Sequence, residues 1–416
     1  MTGILRFLQG CARLVTRGSR WYYAWLALLA IMIATGIAGY SSQFRHGLIA
    51  TNMRDQVSWA FYIGNFTFLV GVAAAAVLLV VPAYVYQWKP IKEVVVLGEM
   101  LAISALIMCL LYILVDTGSP QNLWHIFPLV GRPNFPSSML VWDAIVLNGY
   151  LLINATVVIH ILYKLFHGQD YNKKIVVPLV LLSIPWAVGI HTVTAFLYNG
   201  MAARPYWNAS ILAPRFLASA FCSGPAILLV LFQVLRKTTR FNIPDEAIWK
   251  IAELMAYTMF FNLFLLGAEI FKEFYSNTEH VVFTRYLFFG LHGHRAVAPF
   301  AWFAVAASFA AFLLFVIPRT RRNPVTLNLG CFLIFAGVFI EKGMGLVIPG
   351  MTPDTLGEIY EYTPTMVEWM VAAGVFGIGF LVYTLLVKIA VPILEGRFTA
   401  GMERPLDAAP GGQPAH

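Results

Sequence analysis

Val94-Val-Val-Leu-Gly-Glu-Met-Leu-Ala-Ile-Ser-Ala-Leu-Ile-Met-Cys-Leu-Leu-Tyr-Ile-Leu-Val115 is a run of 22 residues in which Glu99 is the sole charged side chain. As a helix it extends about 33 Å at 1.5 Å per residue, enough to cross the roughly 30 Å hydrocarbon layer of a bilayer. Nine further windows have the same character: Trp21 to Tyr40, Trp59 to Tyr86, Met139 to Phe166, Ile175 to Tyr198, Ala209 to Leu235, Ile248 to Phe274, Val297 to Ile317, Thr326 to Ile348 and Met366 to Leu394. Numbered in chain order as spans one to ten, with Val94 to Val115 as span three, they predict an all-α integral membrane protein of ten transmembrane helices.

Composition agrees. Apolar residues are 59% of the 416 and charged residues 12%, against roughly 45–50% and about 25% in an ordinary soluble domain. With 32 Phe, 18 Tyr and 11 Trp, a globule of this size has no means of enclosing its apolar surface, so a water-soluble monomer is excluded. The net charge of +8 serves to orient membrane loops rather than to bind nucleic acid. If the N-terminus is cytoplasmic, 19 of the 28 Lys and Arg fall on inner loops or helix ends. That asymmetry predicts a multi-pass protein of the inner (cytoplasmic) membrane with both termini cytoplasmic. Residues 1–20 carry Arg6, Arg13, Arg17 and Arg20 with no small-residue cleavage site, and read as an uncleaved basic leader. The outer loops Gly118 to Ser138, Ser276 to Arg295 and Gly350 to Thr365 are longer and suited to docking another protein, while the Pro-, Gly- and Ala-rich tail from Glu395 is expected to be disordered.

Cys11, Cys109, Cys222 and Cys331 stand far apart with no C-x-x-C pair, so neither attached haem nor an iron–sulfur cluster has its ligands here. His160 and His191 lie near opposite ends of spans four and five, which argues against a bis-His haem. Charged groups inside a bilayer are costly and by default functional. The alternating span directions bring Asn65, Asp143, His191, Arg215, Glu269 and the Glu341-Lys342 pair to the outer third of their helices, and one shared polar pocket is the expectation. The plainer alternatives are an Asp143–Arg215 structural ion pair, snorkelling of Glu341 and Lys342 to the headgroups, and an Asn65 that merely bridges helices. A sparser, deeper set of Glu99, Glu253, Asn148 and Asn154, with Glu269 above it, forms a candidate proton path; the same residues also suit structural hydrogen bonding.

The run Gly189-Ile-His-Thr-Val-Thr-Ala-Phe, continuing through Ala203-Arg-Pro-Tyr-Trp-Asn208 to Ala213-Pro-Arg-Phe-Leu-Ala-Ser-Ala-Phe-Cys-Ser-Gly224, resembles the central signature of the NrfD/PsrC family of membrane subunits of polysulfide-reductase-like complexes. Trp59-Ala-Phe-Tyr-Ile-Gly-Asn65 and Phe68-Leu-Val-Gly71 look like that family's first core helix. The resemblance covers about Val57 to Ile348, and overall the chain is most similar to the ten-helix branch that includes the P subunit of the sulfite-reduction-associated Dsr membrane complex.

What the resemblance implies is a four-helix bundle over 57–198 with a quinone site, a second over 199–349, and flanking helices in 21–56 and 350–395, with 396–416 as cytoplasmic tail. It further implies menaquinone as bound substrate, no redox cofactor in the chain itself, and electron exchange with an extracytoplasmic ferredoxin-like subunit bearing 4Fe–4S clusters. A multihaem cytochrome c, further membrane and cytoplasmic subunits, and a link to dissimilatory sulfur metabolism complete that picture, in which the chain is the quinone-binding subunit of a menaquinol:acceptor oxidoreductase complex. The family's quinone-contacting Asn falls on Asn65 and a nearby His on Phe68, a departure. The polar group of span five falls on His191, and an acid–Arg pair maps to Asp143 and Arg215. Arg204-Pro-Tyr-Trp207 is positioned to close the outer mouth. The competing classes are a transporter or channel, with breaks at Pro185, Pro214, Gly224 and Pro225, and a purely structural anchor.

Overall fold

The computed structural model describes residues 2–400 apart from Glu93, Pro128, Leu129 and Arg240. Among the described residues, ten helices are long and apolar enough to cross a membrane: Arg20–Ala50, Phe61–Tyr84, Val95–Asp116, Met139–Phe166, Lys173–Asn199, Leu212–Thr238, Asp245–Ser276, Ala298–Val316, Pro324–Met351 and Met366–Leu394. These are spans one to ten, and each lies on its predicted window. Side-chain caps fix several starts: Ser19 accepts from Tyr22 N, Asn172 from Lys174 N and Asn323 from Val325 N, while Thr365 and Glu368 form a reciprocal capping box.

Spans two to five close on one another as a four-helix bundle, as do spans six to nine, and the two bundles meet where spans two and five face span six and span two also touches span nine. Spans one and ten pair with each other and span ten lies against span three, while Gln43 of span one donates to Val115 O of span three, so the two flanking helices form one unit on the first bundle. Spans two and three are the innermost: 76% and 78% of their most apolar windows are buried, against 17% in span one. The short Lys- and Arg-rich loops gather at one end of the molecule, its basic end.

Two spans are interrupted. Span two is helical over Phe61–Ala73, turns tightly at Ala74, and after Val80 widens into a π-turn over Val81–Val85, where Pro82 cannot supply a regular helical N–H. Span nine runs over Pro324–Lys342, breaks at Gly343 and resumes over Met344–Met351. A Cβ at Gly343 would stand 2.5 Å from Phe339 O and 3.2 Å from Gly64 O, so the break is the place where the two bundles touch backbone to backbone. By contrast Pro185 and Pro225 sit inside continuous helices and Pro214 in a first turn, so the breaks anticipated there do not form. An X-Pro kink is tolerated when neighbouring helices re-satisfy the freed groups.

The basic leader is itself a helix, Thr2–Val15. Ile4, Leu5 and Leu8 are exposed, Leu14 is buried, and Phe7 packs edge-on against Tyr163 and Phe166. This is the pattern of a helix lying in the membrane interface. The tail departs from expectation at its start: Phe398 stacks near Phe166, and Ala400 N donates to Phe166 O at 2.7 Å, so order extends through Ala400. Residues 401–416, including Arg404, lie outside the described residues, as does Arg240.

Spans one and ten cross at glycines. A Cβ at Gly36 would come within 2.4 Å of Gly374 Cα, and one at Gly374 within 2.5 Å of Gly36 Cα. Small residues of this kind allow backbones in lipid to approach and gain dispersion contacts. Gly374→Ile should therefore force the pair apart and lower stability by about 1–3 kcal/mol, read as a reduced thermal midpoint in detergent; an unchanged midpoint would refute the close crossing.

Candidate functional site

The intramembrane polar residues resolve into two clusters, one per bundle, with a small cavity in the seam between them.

In the first bundle, Asn65 and Asp143 each lie four residues inside their helix from the end opposite the basic one, hence at matching depth. Asp143 is fully buried; its Oδ1 accepts from Thr194 Oγ1 at 2.8 Å. One turn further along span five, Tyr198 shares a short hydrogen bond with Thr67. Thr67 already donates to Ile63 O at 2.8 Å, which leaves the Tyr198 hydroxyl as the donor of that bond. Asn65 Nδ2 donates to Phe61 O at 2.7 Å within its own helix, so Asn65 does not bridge helices through this donor. Asn65 Oδ1 and Asp143 Oδ2 have no hydrogen-bond partner among the described residues. These are two buried oxygens without a protein partner among the described residues, at matching depth on spans two and four, and each favours a polar ligand over a bare apolar one.

Arg215 is elsewhere. Its guanidinium forms ion pairs with Glu269 of span seven and, at 2.9 Å, with Glu341 of span nine; Asn262 Nδ2 donates to the second oxygen of Glu341 at 3.3 Å, and Lys342 Nζ lies 3.6 Å from the first. The expected Asp143–Arg215 pair is not formed, because two carboxylates of the second bundle occupy the guanidinium. Two cations and two anions make the set neutral, which is what a low-dielectric interior demands. A cavity of about 40 Å³ borders it, lined by Tyr206, Arg215, Glu269, Thr284 and Glu341 under the short helix Val281–Phe289. Lys342 is only 3% exposed, so it does not snorkel.

The seam cavity collects His191, Thr67, Phe68, Ser219, Ser223 and Lys342. Phe68 packs edge-on against Phe335 and Phe339 of span nine and thus faces the second bundle. Above the seam, Tyr198 packs edge-on against Trp59 and Trp207, which are tilted against each other. Trp207 is fully buried and donates through Nε1 to Leu346 O at 2.9 Å; Arg204 donates to Met351 O at 2.8 Å. Arg204-Pro-Tyr-Trp207 thus plugs the seam, with these donors directed to the chain's own backbone rather than to a ligand.

The candidate proton path does not assemble as one chain. Glu99 is buried in span three with Oε2 unpartnered among the described residues, and Asn154 Nδ2 donates to Tyr150 O on its own helix. Asn148 is exposed on the lipid side and bonds back to Ala144 O. Glu253 sits on the second bundle near the basic end, held by Lys250 at 3.2 Å, the Tyr257 hydroxyl at 3.0 Å and Arg321 at 3.9 Å. Glu269 belongs to the Arg215 set.

Each intramembrane residue singled out from the sequence lies on its expected span, and Thr67, Thr194, Tyr198, Ser223 and Asn262 join them without having been singled out. Their only signal is a hydroxyl or amide one or two turns from a named acid or imidazole.

Ten membrane-crossing helices around buried polar clusters define a multi-pass integral membrane protein. The chain matches the family model described as Polysulphide reductase, NrfD, over residues 49–353, and it belongs to that family. It is 26% identical over 403 residues to a putative dimethyl sulfoxide reductase membrane subunit of Halobacterium salinarum, covering 86% of this chain and 88% of the relative. It is 24% identical over 422 residues to a selenate reductase subunit of Mesobacillus selenatarsenatis, and 24% identical over 389 residues to the Hdr-like menaquinol oxidoreductase integral membrane subunit of Archaeoglobus fulgidus; each match covers 90% of this chain and 94% of the relative.

Removing the guanidinium would leave two carboxylates facing each other with only Lys342 to compensate. Arg215→Met should cost about 3–5 kcal/mol and cut the yield of folded protein, with Arg215→Lys losing less. Equal stability of wild type and Arg215→Met, measured by thermal unfolding in detergent, would contradict a structural role for the cluster.

Proposed function

We propose that this chain is the quinone-reactive membrane subunit of a respiratory redox complex. The observation that carries the reading is the pair of buried, unpaired acceptors, Asn65 Oδ1 and Asp143 Oδ2, at one depth in the first bundle of a protein whose relatives are named for menaquinol, selenate and dimethyl sulfoxide chemistry. A quinol presents two hydroxyl donors to such a site. Asn65 Oδ1 accepts from one and fixes the ring; Asp143 Oδ2 accepts from the other and takes its proton as general base, while Thr194 holds the carboxylate in place. His191 stands at the edge of this network on the seam, through the Thr67 wall they share.

Oxidation of the quinol releases two electrons and two protons: Asp143 takes one proton, and the second, from the hydroxyl held by Asn65, leaves to water at the end of the bundle opposite the basic one. In this reading the electrons pass to a neighbouring extracytoplasmic ferredoxin-like subunit with 4Fe–4S clusters, with a multihaem cytochrome c and further subunits beyond it. The chain itself contributes the site and no redox centre. The substrate is menaquinone or its quinol, the membrane is the inner membrane with the basic end cytoplasmic, and the sulfur-metabolism link follows from the family resemblance.

Asp143→Asn keeps an oxygen for Thr194 but loses the base, and should lower menaquinol-dependent reduction of the purified complex by on the order of a hundredfold. Asn65→Leu should release bound menaquinone. A chain that purifies free of quinone and of redox partners, or wild-type turnover in both variants, would sink the reading and turn attention to transport.

A further inference from the structure

The seam cavity is lined by polar atoms that have no protein partner and whose hydrogen-bonding capacities are complementary. His191 is 1% exposed, and its Nδ1 lies 2.7 Å from Ala187 O. A carbonyl only accepts, so Nδ1 carries the hydrogen and Nε2 of the neutral ring is an acceptor. Nε2 is unpartnered among the described residues, as are Lys342 Nζ and Ser223 Oγ. The Lys342 ammonium is a donor with no acceptor capacity; beyond the 3.6 Å approach to Glu341, its neighbour is the Phe216 ring, 5.1 Å from Nζ to the centroid. Ser219 donates to Phe216 O at 2.9 Å, which leaves its oxygen free to accept. The cavity measures about 10 Å³, the room that a single water needs when it also has two to four polar partners.

We infer that this cavity is a buried water site that joins His191 of the first bundle to Lys342 of the second. The water accepts from Lys342 Nζ and the Ser223 hydroxyl, and donates to His191 Nε2 and the Ser219 oxygen, so each of its four valences has a partner of the required sense. A direct contact is not needed, and a quinone ring does not fit this volume. Lys342 is thereby a positioning residue: through one water it holds the imidazole in the Nδ1–H form with its lone pair turned to the seam. Because Lys342 also lies beside Glu341 of the Arg215 set, a change of charge in the second bundle reaches His191 through one water. The charged groups around Lys342 are Glu341 and Arg215, with His191 across the cavity and Glu269 beyond Arg215.

The inference concerns this chain alone and does not depend on the quinone reading. It is tested on the full-length protein in liposomes without added quinone, by solid-state nitrogen NMR after histidine labelling, with the His191 signal assigned through His191→Gln. Expected is an Nε2 resonance of a hydrogen-bonded acceptor with a cross-peak to water, which moves downfield toward the unbonded position in Lys342→Met. Ser223→Ala leaves every ion pair intact and should give a smaller shift in the same direction, which keeps the test valid if Lys342→Met does not fold. An Nε2 signal that is unbonded in the wild type, lacks the water cross-peak, or is unmoved in Ser223→Ala and in any folded Lys342→Met overturns the water bridge. Failure here leaves Asn65 and Asp143 untouched, and loss of menaquinol activity in their variants says nothing about the seam.

Discussion

Arg215 holds Glu269 and Glu341 together inside the membrane-embedded part of the second bundle, and the neighbouring architecture follows from keeping that set neutral and packed. Hydrocarbon offers no alternative partners, so each charge must be answered from within the protein. Glu341, Lys342 and Gly343 are consecutive, and they do three different things: Glu341 turns into the bundle to meet Arg215, Lys342 turns into the seam, and Gly343 ends the helix where the backbone of Gly64 presses against it. One turn of span nine thus fixes the ion-pair set, the polar seam and the contact between bundles.

Among the described residues, the polar groups of the first bundle meet through hydrogen bonds rather than ion pairs. Span five supplies Thr194 to Asp143 and Tyr198 to Thr67, and Trp207 with Trp59 closes the end above them. Such a network is rigid where it is satisfied and reactive where it is not. The unsatisfied members, Asn65 Oδ1 and Asp143 Oδ2, are the ones that a ligand donor would complete.

Much of the fold was legible in the sequence because length and hydropathy dominate the energetics of a membrane span: each of the ten windows became a span, and the likeness found over Val57 to Ile348 lies within the 49–353 of the family match. The span that carries each polar residue was legible too. Azimuth was not. In lipid, outward and inward faces are both apolar, so the periodicity that orients a helix in a soluble protein is weak, and Asp143 was paired with Arg215 when the guanidinium in fact points to Glu269 and Glu341. The same gap put lipid-facing Asn148 beside buried Glu99. Pro185 and Pro225 suggest helix interruptions, but neighbours sustain the helix there; the interruptions fall instead at Ala74 and at Gly343, where the backbone of Gly64 presses against span nine. The leader's helix is signalled only by the spacing of Ile4, Phe7, Leu8 and Leu14 among its arginines.

Whether Asp143 accepts a proton from a quinol in the first bundle is decided by redox-difference infrared spectroscopy of the purified complex with menaquinone bound. Oxidation of the quinol should produce a protonated carboxyl band that is absent in Asp143→Asn and unaffected by Glu99→Gln. A difference spectrum identical in wild type and Asp143→Asn would contradict the assignment of Asp143 as the base.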